Sequence, residues 1–224
     1  MTRTDVAPTS ELAQWMRAAA QLRNAKLPRR ALAPAVLVIY AVSIALLAGL
    51  GSAFWAVKDS YPFGTVRANT WVAAPRVGSR EVDPYAKAVV ARSAEIPLAT
   101  GEGLMLTATQ DEAGRPLDPH CNYRIGTVTP QARYWTVTLY DDAGHPVVSE
   151  LQRSGFTSAE IMREADGRFA IALSREPMPG NWLRLPERGR PSVVLRLYDT
   201  PVAAGSAALD PRTLPVVERL GCAS

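Results

Sequence analysis

The longest run of apolar positions in the chain lies within the first sixty residues. From residue 31 to residue 57 no side chain is charged, and about 20 apolar residues are enough for a helix to cross the hydrocarbon core of a bilayer. A buried helix of a soluble protein normally carries a polar stripe at 3.6-residue spacing, whereas only Ser43 and Ser52 interrupt this run. The pattern therefore predicts one transmembrane helix over residues 31–57.

Basic residues crowd the chain before this run and are spread thinly after it. Lys and Arg are retained on the cytoplasmic side during insertion, so residues 1–30 are predicted to be a cytoplasmic basic leader and the rest of the chain to lie outside the cytoplasm. A cleaved signal peptide is the competing interpretation, but its apolar core would span about 7–15 residues after a short basic region. An uncleaved signal anchor is favoured.

Residues 58–97 are predicted to form a linker that ends in a short helix. Prolines and glycines at irregular spacing up to residue 82 are typical of an extended connection. Asp83-Pro84 then offers an N-cap followed by a proline in the first turn. This helix is expected to end before Pro97.

Beyond residue 97 the apolar period changes from 3.6 to 2, which is typical of strands. Residues 135–141 (WTVTLYD) alternate apolar and polar positions, and residues 192–199 (SVVLRLYD) repeat that phase. Each such strand has one apolar face, which a second sheet must cover. Residues 98–224 are therefore predicted to form a mainly β domain, an antiparallel sandwich of jelly-roll type. The echo between the two strands is coincidental, or it marks equivalent strands in two halves of the sandwich.

Charge and composition exclude several functions. The 25 basic and 21 acidic residues are mixed along the chain, and a nucleic-acid-binding protein would gather its basic residues into a patch. Two histidines, His120 and His145, are too few for a three-imidazole metal site. His120 and Cys121 would point to opposite faces of a strand, which disfavours a thiol nucleophile with its base. No metal, cofactor or catalytic residue is predicted.

Cys121 and Cys222 are the two cysteines of the chain. Disulfides persist outside the cytoplasm, so these residues are predicted to form one. The Cα atoms should then lie about 4.4–6.8 Å apart. Two buried free thiols are the alternative.

Two further sets of side chains are candidates for chemistry. The acids Glu102, Asp118, Asp141 and Asp142 would be needed by a carboxylate-dependent enzyme, although Asp residues in such positions more often initiate turns. Aromatic side chains with an arginine suit a carbohydrate or an acidic group. The predicted ligand-binding residues are Tyr140, Trp182, Arg196 and Tyr198. The alternative for this second set is ordinary cross-strand pairing on a sheet surface.

Four separated blocks, YWTVTLYDDAGHPV, DGRFAIALSRE, GNWLRLP and VVLRLYDTP, occur in this order. Over residues 98–221 the chain resembles the family called domain of unknown function 1214, including its short bacterial members with a membrane helix. The resemblance implies a jelly-roll sandwich in a bacterial envelope protein, with a cytoplasmic N-terminus, an inner-membrane helix and a periplasmic domain. In longer relatives a second domain, domain of unknown function 1254, precedes this one. A protein carrying that domain is therefore an expected partner.

The sequence thus predicts a membrane-anchored envelope protein whose exported sandwich binds a partner protein or a small ligand without catalysis. The alternative is a carboxylate-dependent hydrolase or a carbohydrate-active enzyme. The resemblance carries no established reaction and no catalytic residues.

Overall fold

The computed structural model describes residues 29–58, 61, 63–93, 96–126, 128, 130–150, 152–201 and 209–222. The basic leader over residues 1–28 lies outside the described residues, so its cytoplasmic location stays a prediction. The chain divides into two compact units, Met1–Phe54 and Trp55–Ser224. Each is described by itself below.

The described residues of the first unit form helix α1, Arg29–Ala56, whose last two residues belong to the second unit. Its segment Ala33–Ala56 has a mean hydropathy of 2.3, and its side chains are exposed on all sides. The hydroxyls of Ser43 and Ser52 donate to carbonyl oxygens one turn earlier, at 2.8 and 3.0 Å, so the helix satisfies its own polar side chains. By length and composition α1 can cross a membrane, and a signal sequence meets the same criteria.

The second unit is a sandwich of two β-sheets. The larger sheet has six strands in the order β1-β2-β3-β9-β5-β6, and all of its pairs are antiparallel. Its strands are β1 Val66–Ala68, β2 Trp71–Ala73, β3 Gly103–Ala108, β5 Tyr134–Tyr140, β6 Gly155–Thr157 and β9 Ser192–Tyr198. The strongly alternating segments found in the sequence are neighbours here, since Trp135 of β5 lies opposite Leu197 of β9. They are therefore not equivalent strands in two halves.

The smaller sheet has four strands in the order β10-β4-β7-β8. They are β4 Cys121–Gly126, β7 Ala170–Ser174, β8 Asn181–Arg184 and β10 Val216–Cys222. The predicted two-sheet, mainly β fold is confirmed, but the pattern is not wholly antiparallel because β7 and β8 run parallel. The buried Asn181 explains this pairing: its side chain accepts from the N–H of Met162 and donates to the carbonyls of Met162 and Ala170.

The core lies between the inward faces of the two sheets, where alternate residues of each strand are buried. Strand β5 buries Trp135, Val137 and Leu139 and leaves the residues between them half-buried. The Trp135 ring stacks on Phe169, which precedes β7, with 4.9 Å between ring centroids. The period-2 pattern thus places the intervening residues of β5 on the outward surface of the larger sheet.

The prediction of an extended linker is wrong for residues 66–73. Strands β1 and β2 form a hairpin that continues the larger sheet beyond β3. Trp71 is fully buried, and its indole N–H donates to the carbonyl of Pro215 at 2.7 Å. The sandwich therefore begins at Val66 rather than near residue 98.

The short helix expected after the linker is confirmed as α2, Pro84–Ser93. The Asp83 side chain accepts from the N–H of Ala86 at 3.0 Å, as an N-cap does.

Candidate functional site

The disulfide is confirmed. Cys121 and Cys222 are bonded, with 3.8 Å between their Cα atoms, which is shorter than the expected 4.4–6.8 Å. They lie directly opposite each other at the start of β4 and the end of β10. The bond excludes two free thiols and also a Cys121 nucleophile. It fastens the C-terminal strand to the smaller sheet.

Three of the four predicted ligand-binding residues share one surface. Tyr140, Arg196 and Tyr198 are half-buried on the outward side of β5 and β9, together with the exposed Tyr134. We call these four residues the tyrosine face. Tyr134 and Tyr198 lie opposite each other with ring centroids 5.8 Å apart. The Arg196 guanidinium carbon lies 5.7 Å from the centroid of the Tyr140 ring.

Arg196 has a further property that separates it from a routine surface arginine. It lies opposite Thr136 on one side and Met105 on the other, in the middle of the sheet. Among the residues that the structure describes, no carboxylate forms an ion pair with Arg196, and its guanidinium lies over the Tyr140 ring. The half-buried guanidinium therefore has donors available for an acidic group.

Trp182 does not belong to this surface. It lies on β8, on the outward side of the smaller sheet, where its indole N–H donates to the carbonyl of Ser174 at 3.1 Å. The sequence prediction grouped it with Tyr140, Arg196 and Tyr198, but the pairing of β8 with β7 places it on the other sheet. The structure therefore brings together Tyr140, Arg196 and Tyr198 only.

The candidate acids do not converge. Glu102 precedes β3 at the end of the larger sheet where β5 begins, whereas Asp141 follows the end of β5. Asp141 accepts from the N–H groups of Ala143 and His145, which confirms its turn role. Asp118 accepts from the N–H of His120 in the same manner. No observation in the described part of the chain favours the carboxylate-dependent enzyme.

The structure shows a repeated turn that the sequence reasoning missed. Residues 111–117 (DEAGRPL) follow β3 and residues 141–147 (DDAGHPV) follow β5, and both strands run antiparallel to β9. In each turn the leading Asp accepts from the N–H groups two and four residues later. The recurring Asp-x-Ala-Gly-x-Pro pattern was the available signal. The two turns flank the start of β9.

The first turn contains a buried charge network. The Asp111 side chain is 0% exposed and pairs with the Nε atoms of Arg115 at 2.9 Å and Arg219 at 2.8 Å. Burial alone would raise the pKa of the Asp111 carboxyl, but the Arg115 N–H and the two guanidinium groups outweigh burial and hold that pKa below its usual value. In the second turn His145 replaces the arginine, and its Nδ1 lies 3.7 Å from Asp141.

Among the described residues, no group of three or more His, Cys, Asp or Glu side chains is arranged to hold a metal ion. The two histidines lie in separate turns, each beside an aspartate.

These features define a class of protein: a two-sheet β-sandwich, closed by a disulfide between neighbouring strands, with an apolar helix in the chain before it. Residues 102–202 match the family described as protein of unknown function (DUF1214). The match covers less than half of the chain and confirms the predicted resemblance over the sandwich. The matched residues run from the start of β3 to just beyond β9.

One solved structure shows a similar fold, and a second is similar in part. The crystal structure of the VPA0106 protein from Vibrio parahaemolyticus is 18% identical, with a TM-score of 0.53 over 80% of this chain and 44% of that one. An uncharacterised protein from Burkholderia cenocepacia is 21% identical, with a TM-score of 0.35 over 53% of this chain and 29% of that one. The chain thus spans less than half the length of either. No curated protein matches the sequence.

Proposed function

We propose that this chain is a membrane-anchored protein of the bacterial envelope whose periplasmic sandwich binds a small acidic sugar on the tyrosine face, without catalysis. The observation that carries the proposal is the half-buried Arg196, which lies among tyrosines and makes no ion pair with a described carboxylate. An arginine with no acidic partner is suited to receive one from a ligand.

The chemistry of the tyrosine face fits a sugar acid. Tyr134 and Tyr198 offer ring faces for the C–H groups of a sugar, and Thr136 and Thr138 on β5 present hydroxyls between the aromatic residues. A carboxylate on the same ligand would accept hydrogen bonds from Arg196. Aromatic surfaces with a few polar groups are typical of ligand sites in proteins.

The envelope location rests on three features. Helix α1 has the length and composition of a membrane span, the basic leader favours a cytoplasmic N-terminus, and disulfides such as Cys121–Cys222 persist in oxidising compartments. Together these features favour an anchor in the inner membrane with the sandwich in the periplasm.

A partner protein is the alternative occupant of the tyrosine face. A protein carrying domain of unknown function 1254, supplied by another chain, is the expected candidate. More than half of the Vibrio chain lies outside the match, which supports a sandwich that works beside further structure. Aromatic residues and arginine are also enriched in protein interfaces, so the experiment must separate the two occupants.

The test is ligand binding by the full chain in a neutral detergent. An array of neutral and uronate-containing oligosaccharides is screened, and the best uronate is titrated by calorimetry. Arg196→Gln should weaken uronate binding about tenfold or more, because a charge-assisted hydrogen bond is lost. Arg175→Gln, in an exposed loop of the same sandwich, is the matched control and should bind like the parent.

Two results would contradict the proposal. One is equal affinity of the Arg196→Gln variant and the parent for every uronate bound. The other is a photo-crosslinker at position 198 that, in cells, joins the sandwich to a protein while the purified chain binds no sugar. The second result would show that the tyrosine face binds a protein partner rather than a sugar.

A further inference from the structure

We propose that a second site, separate from the tyrosine face, binds an oxyanion group of a small molecule, either a phosphate or a carboxylate. It is a depression of about 650 Å³ formed by the first repeated turn, the loop before β9 and strand β10. We call it the arginine depression after the residues that line it: Arg115, Arg188, Arg190 and Arg219. No part of the tyrosine face contributes to it.

Arg219 forms a fixed wall of the depression. Its side chain is only 15% exposed, and its Nε lies 2.8 Å from the buried Asp111 carboxylate. One terminal nitrogen donates to the carbonyl of Pro116 at 2.6 Å, and the guanidinium carbon lies 5.3 Å from the Tyr123 ring centroid. Contacts on three sides hold this cation in one position. A fixed positive charge binds an anion without first losing side-chain entropy.

Arg115 shares the same carboxylate but reaches outward. Its Nε donates to Asp111 at 2.9 Å, while the side chain remains 55% exposed. Asp111 thus fixes the near end of this guanidinium, and the side chain lines the depression. Arginine binds phosphate and carboxylate through such paired N–H groups.

Arg188 and Arg190 supply charge that no described acid neutralises. Both are exposed, and neither forms an ion pair with a carboxylate among the described residues. Gly189 between them has a φ of +86°, and a Cβ there would lie 2.6 Å from the Asp142 carboxyl carbon. Only glycine permits this close packing against the second repeated turn, between the two arginines.

The acids near the depression do not cancel its charge. Asp111 lies beneath it and is shared by Arg115 and Arg219. Asp118 lies on the rim, where the N–H and ring of His120 hold the pKa of its carboxyl below the usual value, so it is ionised at neutral pH. Four guanidinium groups therefore outnumber the three nearby carboxylates: the buried Asp111, Asp118 on the rim, and Asp142 beside Gly189. The excess positive charge, in a volume typical of ligand sites, suits an oxyanion.

The experiment titrates the full chain, in neutral detergent and at low ionic strength, with inorganic phosphate and separately with citrate. Binding of either probe is expected, and the probe that binds more tightly identifies the phosphate or the carboxylate as the natural group. The double variant Arg188→Ala/Arg190→Ala should bind that probe about tenfold more weakly or worse, because two charged donors are lost. Arg175→Ala, also exposed and in the same sandwich, should leave the affinity unchanged.

A charge-preserving variant shows whether binding needs the paired N–H donors of arginine or only a positive charge. Arg188→Lys/Arg190→Lys should bind with an affinity between those of the parent and the double alanine variant, since lysine keeps the charge but not the paired donors. Both substituted side chains are exposed, so a thermal melt equal to that of the parent is the folding control. Failure of both probes to bind, or equal affinity of the double alanine variant and the parent, would overturn the proposal. Neither result bears on uronate binding at the tyrosine face.

Discussion

At the scale of single residues, Asp111 shows how a buried charge is accommodated in this sandwich. Its carboxylate accepts hydrogen bonds from two backbone N–H groups and from the Arg115 Nε, and it forms an ion pair with Arg219. A buried carboxylate without such partners would be costly, because water is lost and not replaced. The two arginines it holds are also walls of the arginine depression. One buried acid therefore couples stability to the proposed oxyanion site.

This arrangement predicts a specific dependence of stability on pH. The folded-state pKa of Asp111 is below its usual value, so the carboxylate stabilises the fold above about pH 4 and that contribution is lost as the pH falls further. Asp111→Asn should lower the free energy of unfolding by about 3–5 kcal/mol at pH 7. The difference from the parent should shrink at pH 3.

Urea unfolding of the full chain with its disulfide intact, at both pH values, measures this effect. Asp166→Asn, in an exposed turn, serves as the control and should change stability little. A deficit of the Asp111→Asn variant that is the same at pH 7 and pH 3 would show that the carboxylate charge is not what stabilises the fold.

The sequence contains the signal for both repeated turns but not for their different burial. Asp111 and Asp141 begin the same Asp-x-Ala-Gly-x-Pro pattern. What distinguishes them is Arg219, which reaches Asp111 from the far end of the chain after β10 pairs with β4. A local pattern cannot report such a long-range partner. The arginine depression was unpredictable for the same reason.

At the scale of secondary-structure elements, long strands were predictable and short ones were not. Strands β5 and β9 each have seven residues with clear alternation, whereas β1 and β2 have three each. Three residues are too few to display a period of 2. The prolines and glycines around them then dominated the pattern and indicated a linker. The burial of one aromatic residue, Trp71, packs this segment against the core.

Trp71 should therefore determine whether the β1–β2 hairpin docks. Trp71→Ala removes a fully buried ring and its hydrogen bond to Pro215, and it should cost about 3–5 kcal/mol of unfolding free energy. Trp71→Phe should cost less, because most of the buried surface is kept. Chemical unfolding of the full chain measures both values.

The exposed Val66 of the same hairpin offers a control, since Val66→Ala should change stability by less than about 0.5 kcal/mol. If Trp71→Ala were equally mild, the hairpin would be a dispensable extension, and the linker interpretation would be restored.

The sequence also did not show which of the two sheets each strand belongs to. Alternation along β5 and β9 predicted that Tyr140, Arg196 and Tyr198 lie on the face opposite the apolar residues, and they lie on the outward face. It could not show that Trp182 lies on the other sheet, because a period of 2 identifies a face but not the neighbouring strand. The parallel pairing of β7 with β8 depends on the buried Asn181, whose partners Met162 and Ala170 precede it in the chain. The predicted ligand face is therefore smaller than expected.

At the scale of the whole molecule, an apolar helix and a disulfide-closed sandwich occur in one chain. Both features were predictable: the helix from its uncharged run, and the disulfide from an even cysteine count and the expected compartment. The two bonded cysteines are 101 residues apart in sequence, so the bond encloses most of the sandwich. Disulfides persist in oxidising compartments, which is consistent with the proposed periplasmic location of the sandwich. The proposed function depends on that location.

Reporter fusions test this location most directly. Alkaline phosphatase, which is active only after export, is fused after residue 60, and a reporter that fluoresces only in the cytoplasm is fused at the same point in a second strain. A periplasmic sandwich should give active phosphatase and no fluorescence, because the basic residues before α1 favour a cytoplasmic N-terminus. Inactive phosphatase together with a fluorescent second strain would place the sandwich in the cytoplasm and contradict the account.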